Sequence, residues 1–355
     1  MATETDHIVT ETAVRVFADL ADPQTINAAR DSRWKDVLWR ALTNAGLPLA
    51  WVPEAQGGAG VGIAEGFAIL GVAGRFALSV PLAETLLAGW LLERAGIKSP
   101  AGVMTVAPVR ARDRIVLNTD GTLSGSVRTI PFADEADHLA ILAIGMAGPT
   151  IALVNAADCD IAEGRNLASE PANTVRFDRV KPVADARAPD GFDATTLLLM
   201  GATVRSVQIA GALETVLSMS VRYANERVAF ERPIGKFQAV QQNLARLAGE
   251  TAAALAAAGS AADTVAHTKT FDDTVMLEAA SAKIRAGEAA AEGSAIAHQV
   301  HGAIGFTDEH VLHRFTLRML AWRDDFGAES HWAATLGRMV ARGGSQQFWP
   351  MLASR

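Results

Sequence analysis

Three stretches of the chain concentrate side chains that could do chemistry. The first runs from Tyr223 to Gln241, where Pro233 and Gly235 break two helical patterns and the break carries Arg227, Arg232 and Lys236. A cationic loop between helices can hold an anion such as a diphosphate or a coenzyme tail, because guanidinium and ammonium groups present several donors to phosphate oxygens. The same charges would equally suit a solvated helix–helix connection. The second stretch, His298 to His313, holds four histidines around Gly302 and Gly305. Glycines there end a helix and let backbone approach a neighbour closely. The histidines invite a metal reading, but the twice-repeated Glu-x-x-His pattern of a di-iron bundle is missing, so no metal site is assigned. Thr307 or Asp308 could cap the helix that follows. The third stretch runs from Trp322 to Ser330 and contains Asp324, Asp325 and Glu329. One of these carboxylates could serve as a general base. Alternatively they favour the positive N-terminal end of a helix starting near Ser330.

The elements that must position these groups follow from periodicity. Residues 1–100 read as helices with short breaks: Trp34, Val37, Leu38 and Leu42 recur at helical spacing, a glycine-rich break spans Pro53 to Gly60, and further apolar segments begin at Phe67 and Glu84. Residues 101–190 change period. Ile115 to Leu117 and Leu123 to Val127 flank Asp120-Gly121, a hairpin signal. Leu139 to Ile144, Ile151 to Val154 and Thr174 to Phe177 read as further strands of a small antiparallel β domain. Residues 191–355 return to helix, with Asp193 as an N-cap, an apolar stripe through Val207, Leu213 and Leu217, an alanine-rich run from Gln241 to Ala266 and a third helix from about Asp273 to His298. The class is α+β, a helical bundle interrupted by a β domain.

Composition narrows the function. The 355 residues allow a sizeable core and, at roughly 150 residues per domain, two or three domains. A net charge of -7 argues against a nucleic-acid binder. The lone Cys159 excludes a disulfide framework and a cysteine zinc site, which suits a reducing, cytoplasmic setting. Met1 to Thr12 is polar and acidic, unlike a signal peptide, and no uninterrupted apolar run is long enough for a membrane span. No nucleophile elbow, Walker loop or strand-linked Gly-x-Gly-x-x-Gly is present, so hydrolase and Rossmann readings lack support.

The motifs resemble those of acyl-CoA dehydrogenases. The run Arg227-x-x-Phe230-x-x-Pro233-Ile234-x-x-Phe237-Gln238-x-x-Gln241 resembles that family's helix–loop–helix signature. Gln299 to Phe306 resembles its second flavin-contact segment, and Val52 to Gly60 its N-terminal break. The resemblance implies a helical N-terminal domain, a β domain and a C-terminal four-helix bundle, in a dimer or tetramer. It also implies FAD-dependent α,β-dehydrogenation of an acyl-CoA. By the same resemblance Arg227, Phe230, Gln238, Gln299, Gly302 and Ala303 would contact the FAD of a neighbouring subunit, Arg227 at its diphosphate.

Several positions depart from that pattern. Glu231 and Ala303 stand where glycine is usual, and Glu231 puts a negative charge near the expected anion unless it turns outward to pair with Arg232 or Lys236. The β domain lacks the Thr-Glu-Pro-Gly-Ser-like loop and the Trp-Ile-Thr-Asn-Gly-like strand that normally hold the isoalloxazine within one chain. The usual catalytic glutamate position is Phe326, with Asp325 one residue earlier, and a second family location for the base falls near Arg205. These departures together imply a degenerate subunit of a heteromeric enzyme, whose homologous partner chain supplies the ring-binding domain and the base. The competing expectations are a homo-oligomer using Asp325 or Glu329, and a flavin-free scaffold.

Overall fold

The computed structural model describes residues 4–353, so Met1 to Thr3 of the polar N-terminal stretch lie outside the described residues. Five helices come first: α1 (Glu4–Leu20), α2 (Pro23–Ala28), α3 (Arg33–Asn44), α4 (Ile63–Arg75) and α5 (Leu82–Arg94). Leu38 and Leu42, one turn apart, put the apolar face of α3 into the core. Helix α5 is buried continuously from Leu82 to Leu92, because it is sandwiched between the other helices and the sheet. Thr85 ties it there: its hydroxyl oxygen accepts from the Met104 N–H at 3.1 Å.

The β region comprises β1 (Met104–Ala107), β2 (Arg114–Leu117), β3 (Leu123–Pro131), β4 (His138–Gly145), β5 (Gly148–Asn155), β6 (Asp160–Ala162), β7 (Ala172–Val180) and β8 (Ala184–Arg187). The path across the sheet is β6-β7-β3-β2-β4-β5-β8, with β1 also paired to β4. The β2–β3 hairpin turns at Asp120-Gly121 as the sequence implies. Gly121 takes a φ of 78°, and the Asp120 carboxylate accepts from the Thr122 N–H at 3.1 Å. The sheet is mixed rather than wholly antiparallel, since β4 runs parallel to both β1 and β2. Two strands that enter the sheet after crossovers, not hairpins, account for this.

Helix α6 (Ala194–Glu226) is the spine of the C-terminal half. Asp193 caps it, accepting from the N–H groups of Thr195 and Thr196 at 2.7 and 3.1 Å, with Thr196 completing a capping box. By length and hydropathy α6 could cross a membrane, yet 94% of its most apolar window is buried inside the protein. It is a core helix. Helix α4 crosses it at backbone contact: a Cβ on Gly211 would stand 2.1 Å from the Gly71 carbonyl oxygen.

A short hairpin of β9 (Val228–Ala229) and β10 (Arg232–Pro233) follows, then α7 (Gln238–His267), α8 (Asp273–His301), α9 (Leu312–Trp322), α10 (Glu329–Gly343) and α11 (Ser345–Ala353). Helices α6 to α9 form the bundle, and α10 packs on α8. Alanines at 254, 258 and 261 of α7, and at 279, 282, 286 and 289 of α8, keep the helices close. Two expected caps are not formed. Helix α9 begins at Leu312, beyond reach of Thr307 and Asp308, and α10 begins without a side-chain cap.

Removing the cap of the spine tests how far local capping supports it. Asp193→Ala should lower unfolding stability by about 1 kcal/mol in urea titration; an unchanged midpoint would show that packing alone fixes the start of α6.

Candidate functional site

The link between α9 and α10 carries the acidic cluster, and it is held from three sides. Lys283, fully buried in α8, donates its ammonium to the Arg323 and Gly327 carbonyl oxygens at 2.5 and 3.0 Å. Burial draws its pKa down to about 8. The Trp332 indole N–H donates to the Phe326 carbonyl at 3.0 Å. Phe326 itself takes a φ of 53°, and its ring fills the space beside Gly201, where an added Cβ would stand 2.2 Å from the ring. The position at which the family resemblance expects a glutamate is thus a buried aromatic, 1% exposed.

Asp325 points into the junction of α5, α6 and this link. Arg205, 2% exposed, sits at its centre. Its guanidinium meets Asp325 Oδ2 at 3.0 Å through Nε and Glu84 Oε1 at 2.6 Å through a terminal nitrogen. It also donates to Gln208 Oε1 at 2.7 Å. Burial raises the pKa of Glu84 and of Asp325, against the lowering field of Arg205, with Lys283 adding to it at Asp325. A general base needs a free lone pair facing a substrate proton; the Oδ2 of Asp325 is taken up by Arg205. The other candidate carboxylate, Glu329, accepts from Arg323 at 2.8 Å. Glu84, Gln208 and Lys283 were not singled out from sequence. Their only signal is a charged or amide group inside an otherwise apolar helical run.

The flavin-contact candidates lie elsewhere. At the β9–β10 tip Phe230 and Glu231 adopt φ values of 52° and 65°, which throws the Phe230 ring outward, 89% exposed. Arg227, Gln238, Gln299, Gly302 and Ala303 are all exposed. Tyr223 stacks on His301 at 4.5 Å, joining the ends of α6 and α8 that carry the two motifs. Glu231 does not pair with Arg232 or Lys236: among the described residues it has no ion-pair partner, and Arg232 instead lies over the Phe237 ring at 4.1 Å. Of the four histidines, His301 and His310 meet near Tyr223 at 4.8 Å, His298 stacks on Phe306 at 4.3 Å, and His313 bonds the His310 carbonyl at 2.8 Å. Asp325 is not brought to this patch. Its partner Arg205 and Arg227 stand on the same helix, about 33 Å apart at 1.5 Å per residue.

The order of helices, mixed sheet and helical bundle, with these motifs at one end of α6, defines an acyl-CoA dehydrogenase-like fold. The family model of the acyl-CoA dehydrogenase C-terminal domain matches residues 190–329. The chain is 29% identical over 319 residues to acyl-CoA dehydrogenase IpdE2 of Mycobacterium tuberculosis, covering 89% of this chain and 91% of that protein. It shares its fold with the ChsE4-ChsE5 complex from the same organism at a TM-score of 0.86 and 24% identity, covering 97% of this chain and 99% of that one. The Tcur3481-Tcur3483 steroid ACAD gives 0.83 and 26%, over 96% and 98%. Residues 190–329 thus match the family's C-terminal domain, and the chain over 89% of its length is similar to acyl-CoA dehydrogenases, oxidoreductases acting on CH–CH bonds that normally bind FAD. The exposed patch suits part of that cofactor: among the described residues Arg227 has no ion pair, and the exposed Phe230 ring meets only Phe237, edge-on at 6.2 Å. At the junction Arg205 engages one carboxylate oxygen of Asp325, Oδ2.

Arg205→Ala should cost about 3–5 kcal/mol near neutral pH, because it leaves two buried carboxylates without their cation. With both pKa values already raised by burial, the folded state holds more protons than the unfolded one above the ordinary carboxylate range, and the variant's pKa values rise further. The deficit should therefore grow from about pH 5 to about pH 8 in urea titrations; a deficit independent of pH would show that the carboxylates do not depend on Arg205.

Proposed function

We propose that this chain is one subunit of a cytoplasmic, FAD-dependent acyl-CoA dehydrogenase that α,β-dehydrogenates an acyl-CoA thioester. It presents Arg227, Phe230, Gln238, Gln299, Gly302 and Ala303 to a flavin whose ring rests on a homologous partner chain. One observation carries the reading. All six residues are exposed at the joined ends of α6 and α8, about 33 Å along α6 from the junction where Phe326 is buried and Arg205 engages Asp325.

In this reading Arg227 clamps a diphosphate with a planar fork of donors. Phe230 packs on the nucleotide and excludes water, and Gln238 and Gln299 supply amide donors and acceptors. The bound flavin supplies hydride acceptance, and the α-proton goes to a carboxylate of the partner. The likeness to a protein described as a steroid ACAD supports a bulky steroid-type CoA thioester as substrate.

A visible spectrum separates the readings. The chain expressed alone should be colourless, and yellow and active only when co-expressed with a longer homologue. A yellow, active chain by itself would replace this reading with a homo-oligomer using Asp325 or Glu329. A chain inert with every homologue would leave a scaffold. In the mixed enzyme Arg227→Ala should cut flavin retention after gel filtration by at least about tenfold, the loss of one charged phosphate contact; full retention would reject its diphosphate role.

In the same mixed enzyme Asp325→Asn should leave turnover nearly intact. A loss beyond about 100-fold with folding preserved, equal to about 2.7 kcal/mol of barrier, would restore Asp325 as the base.

A further inference from the structure

The four histidines around the end of α8 are held in one protonation state by their own hydrogen bonds. His301 Nδ1 lies 2.8 Å from the Ala297 carbonyl oxygen, and a carbonyl only accepts, so that nitrogen carries the proton. Its Nε2 is then a bare lone pair, buried and without a hydrogen-bond partner. The Thr316 hydroxyl donates to the Leu312 carbonyl at 3.3 Å, so its oxygen accepts from His298 Nε2 at 2.9 Å. That leaves His298 Nδ1 buried and unpartnered as well. His310 Nδ1 accepts from the Leu312 N–H at 3.2 Å, and His313 Nδ1 donates to the His310 carbonyl at 2.8 Å. A second proton on His298 or His301 would put an N–H where nothing accepts it. On His310 it would break the bond at the start of α9.

The surroundings offer no countercharge. Tyr223 and Arg222 face the rings from α6, and the imidazoles face one another from α8 and from the segment leading into α9. Asp308 and Glu309 precede His310 but are exposed, and among the described residues no carboxylate pairs with any of the four rings. Burial, together with the neighbouring imidazoles and, at His310, Arg222, holds His298, His301 and His310 below the ordinary imidazole pKa, against the Ala297 hydrogen bond at His301.

The same rings join the two flavin-contact segments. Tyr223 stacks on His301, and the Arg227 N–H donates to the Tyr223 carbonyl at 2.8 Å. On the other side His298 stacks on Phe306. Gly305 lies so close that an added Cβ would stand 3.0 Å from His301 Cβ and 3.3 Å from His298 Nδ1. The turn that carries Gly302 and Ala303 is thus packed directly on imidazole.

We propose that His301 is a positioning residue for the flavin: uncharged, it joins the Arg227 loop to the Gln299–Ala303 segment, and a proton on it or on His298 or His310 parts the two segments and releases the cofactor. The proposal rests on the shared-flavin reading and gives that site a proton-linked control. Charge attraction alone would act the other way, since added cations near Arg227 would tighten a diphosphate. An imidazole whose folded pKa is depressed contributes stability that is present above its ordinary value of about 6.5 and is lost as pH falls through the folded value.

The test is titration of FAD into the deflavinated mixed enzyme, followed by flavin fluorescence. Affinity should fall by at least about tenfold from pH 7.5 to pH 5, because each ring kept neutral opposes binding about tenfold per pH unit below its ordinary pKa. His301→Ala should lose at least about tenfold already at pH 7.5. His301→Phe keeps a ring against Tyr223 but takes no proton; it should bind FAD at pH 7.5 and lose at least about threefold less in acid. In the full chain alone, nitrogen-15 NMR should show the proton on Nδ1 of His301 and His313 and on Nε2 of His298 and His310. It should also show His298, His301 and His310 titrating below about 6.5, a readout that stands even where His301→Ala does not fold. Any of these three titrating at or above that value, tighter FAD binding in acid, or an acid loss in His301→Phe equal to that of the unaltered enzyme would each overturn the proposal. Absence of FAD binding at every pH, with these tautomers present, would instead remove the shared-flavin reading and the proposal with it, so the two failures are told apart.

Discussion

A guanidinium removed from water must find its countercharge inside the protein, and Arg205 imposes that requirement on three elements at once. Glu84 comes from α5, Asp325 from the link between α9 and α10, and Gln208 from the next turn of α6. Each partner offsets part of a desolvation penalty of several kcal/mol, and none can leave without exposing the others to it. The N-terminal helices, the spine of the bundle and the acidic link are thereby locked into one arrangement. Phe326 follows from it: with its neighbour anchored to Arg205, its ring is directed onto Gly201, where a larger residue would not fit.

This lock has a chemical consequence. An oxidation at carbon next to a thioester requires a base that can approach the substrate and change protonation state. The junction holds a cation, two acids paired with it and a buried aromatic. The opposite end of α6 carries an exposed, strained hairpin. Phe230 and Glu231 at positive φ cost about 1–3 kcal/mol each without filling a core, and the ring so displayed is 89% exposed.

Much of the scaffold was legible from local rules. Asp193 announces the start of α6, Asp120-Gly121 the hairpin, and the spacing of Leu38 and Leu42 the buried face of α3, because capping, turn geometry and helical period act over a few residues. The glycine stop of α8 is legible as well: Gly302 caps the helix, which runs on from His298 to His301 before it. The parallel neighbours of β4 were not legible, since strand direction depends on crossovers that leave no local pattern. Nor is it legible that Arg232 lies over the face of Phe237 rather than beside Glu231, a contact set by the fold of the hairpin.

The sequence by itself determined which residues could form a flavin-contact patch, because those motifs are contiguous runs whose order and spacing survive in the linear chain. It also determined that the usual base position is an aromatic. Only the tertiary structure decided that Asp325 belongs to Arg205 and Glu84, and that Lys283 holds the acidic link. Each of these joins residues forty or more positions apart, and electrostatic energy depends on distance through space and on burial, neither of which is written in the order of residues.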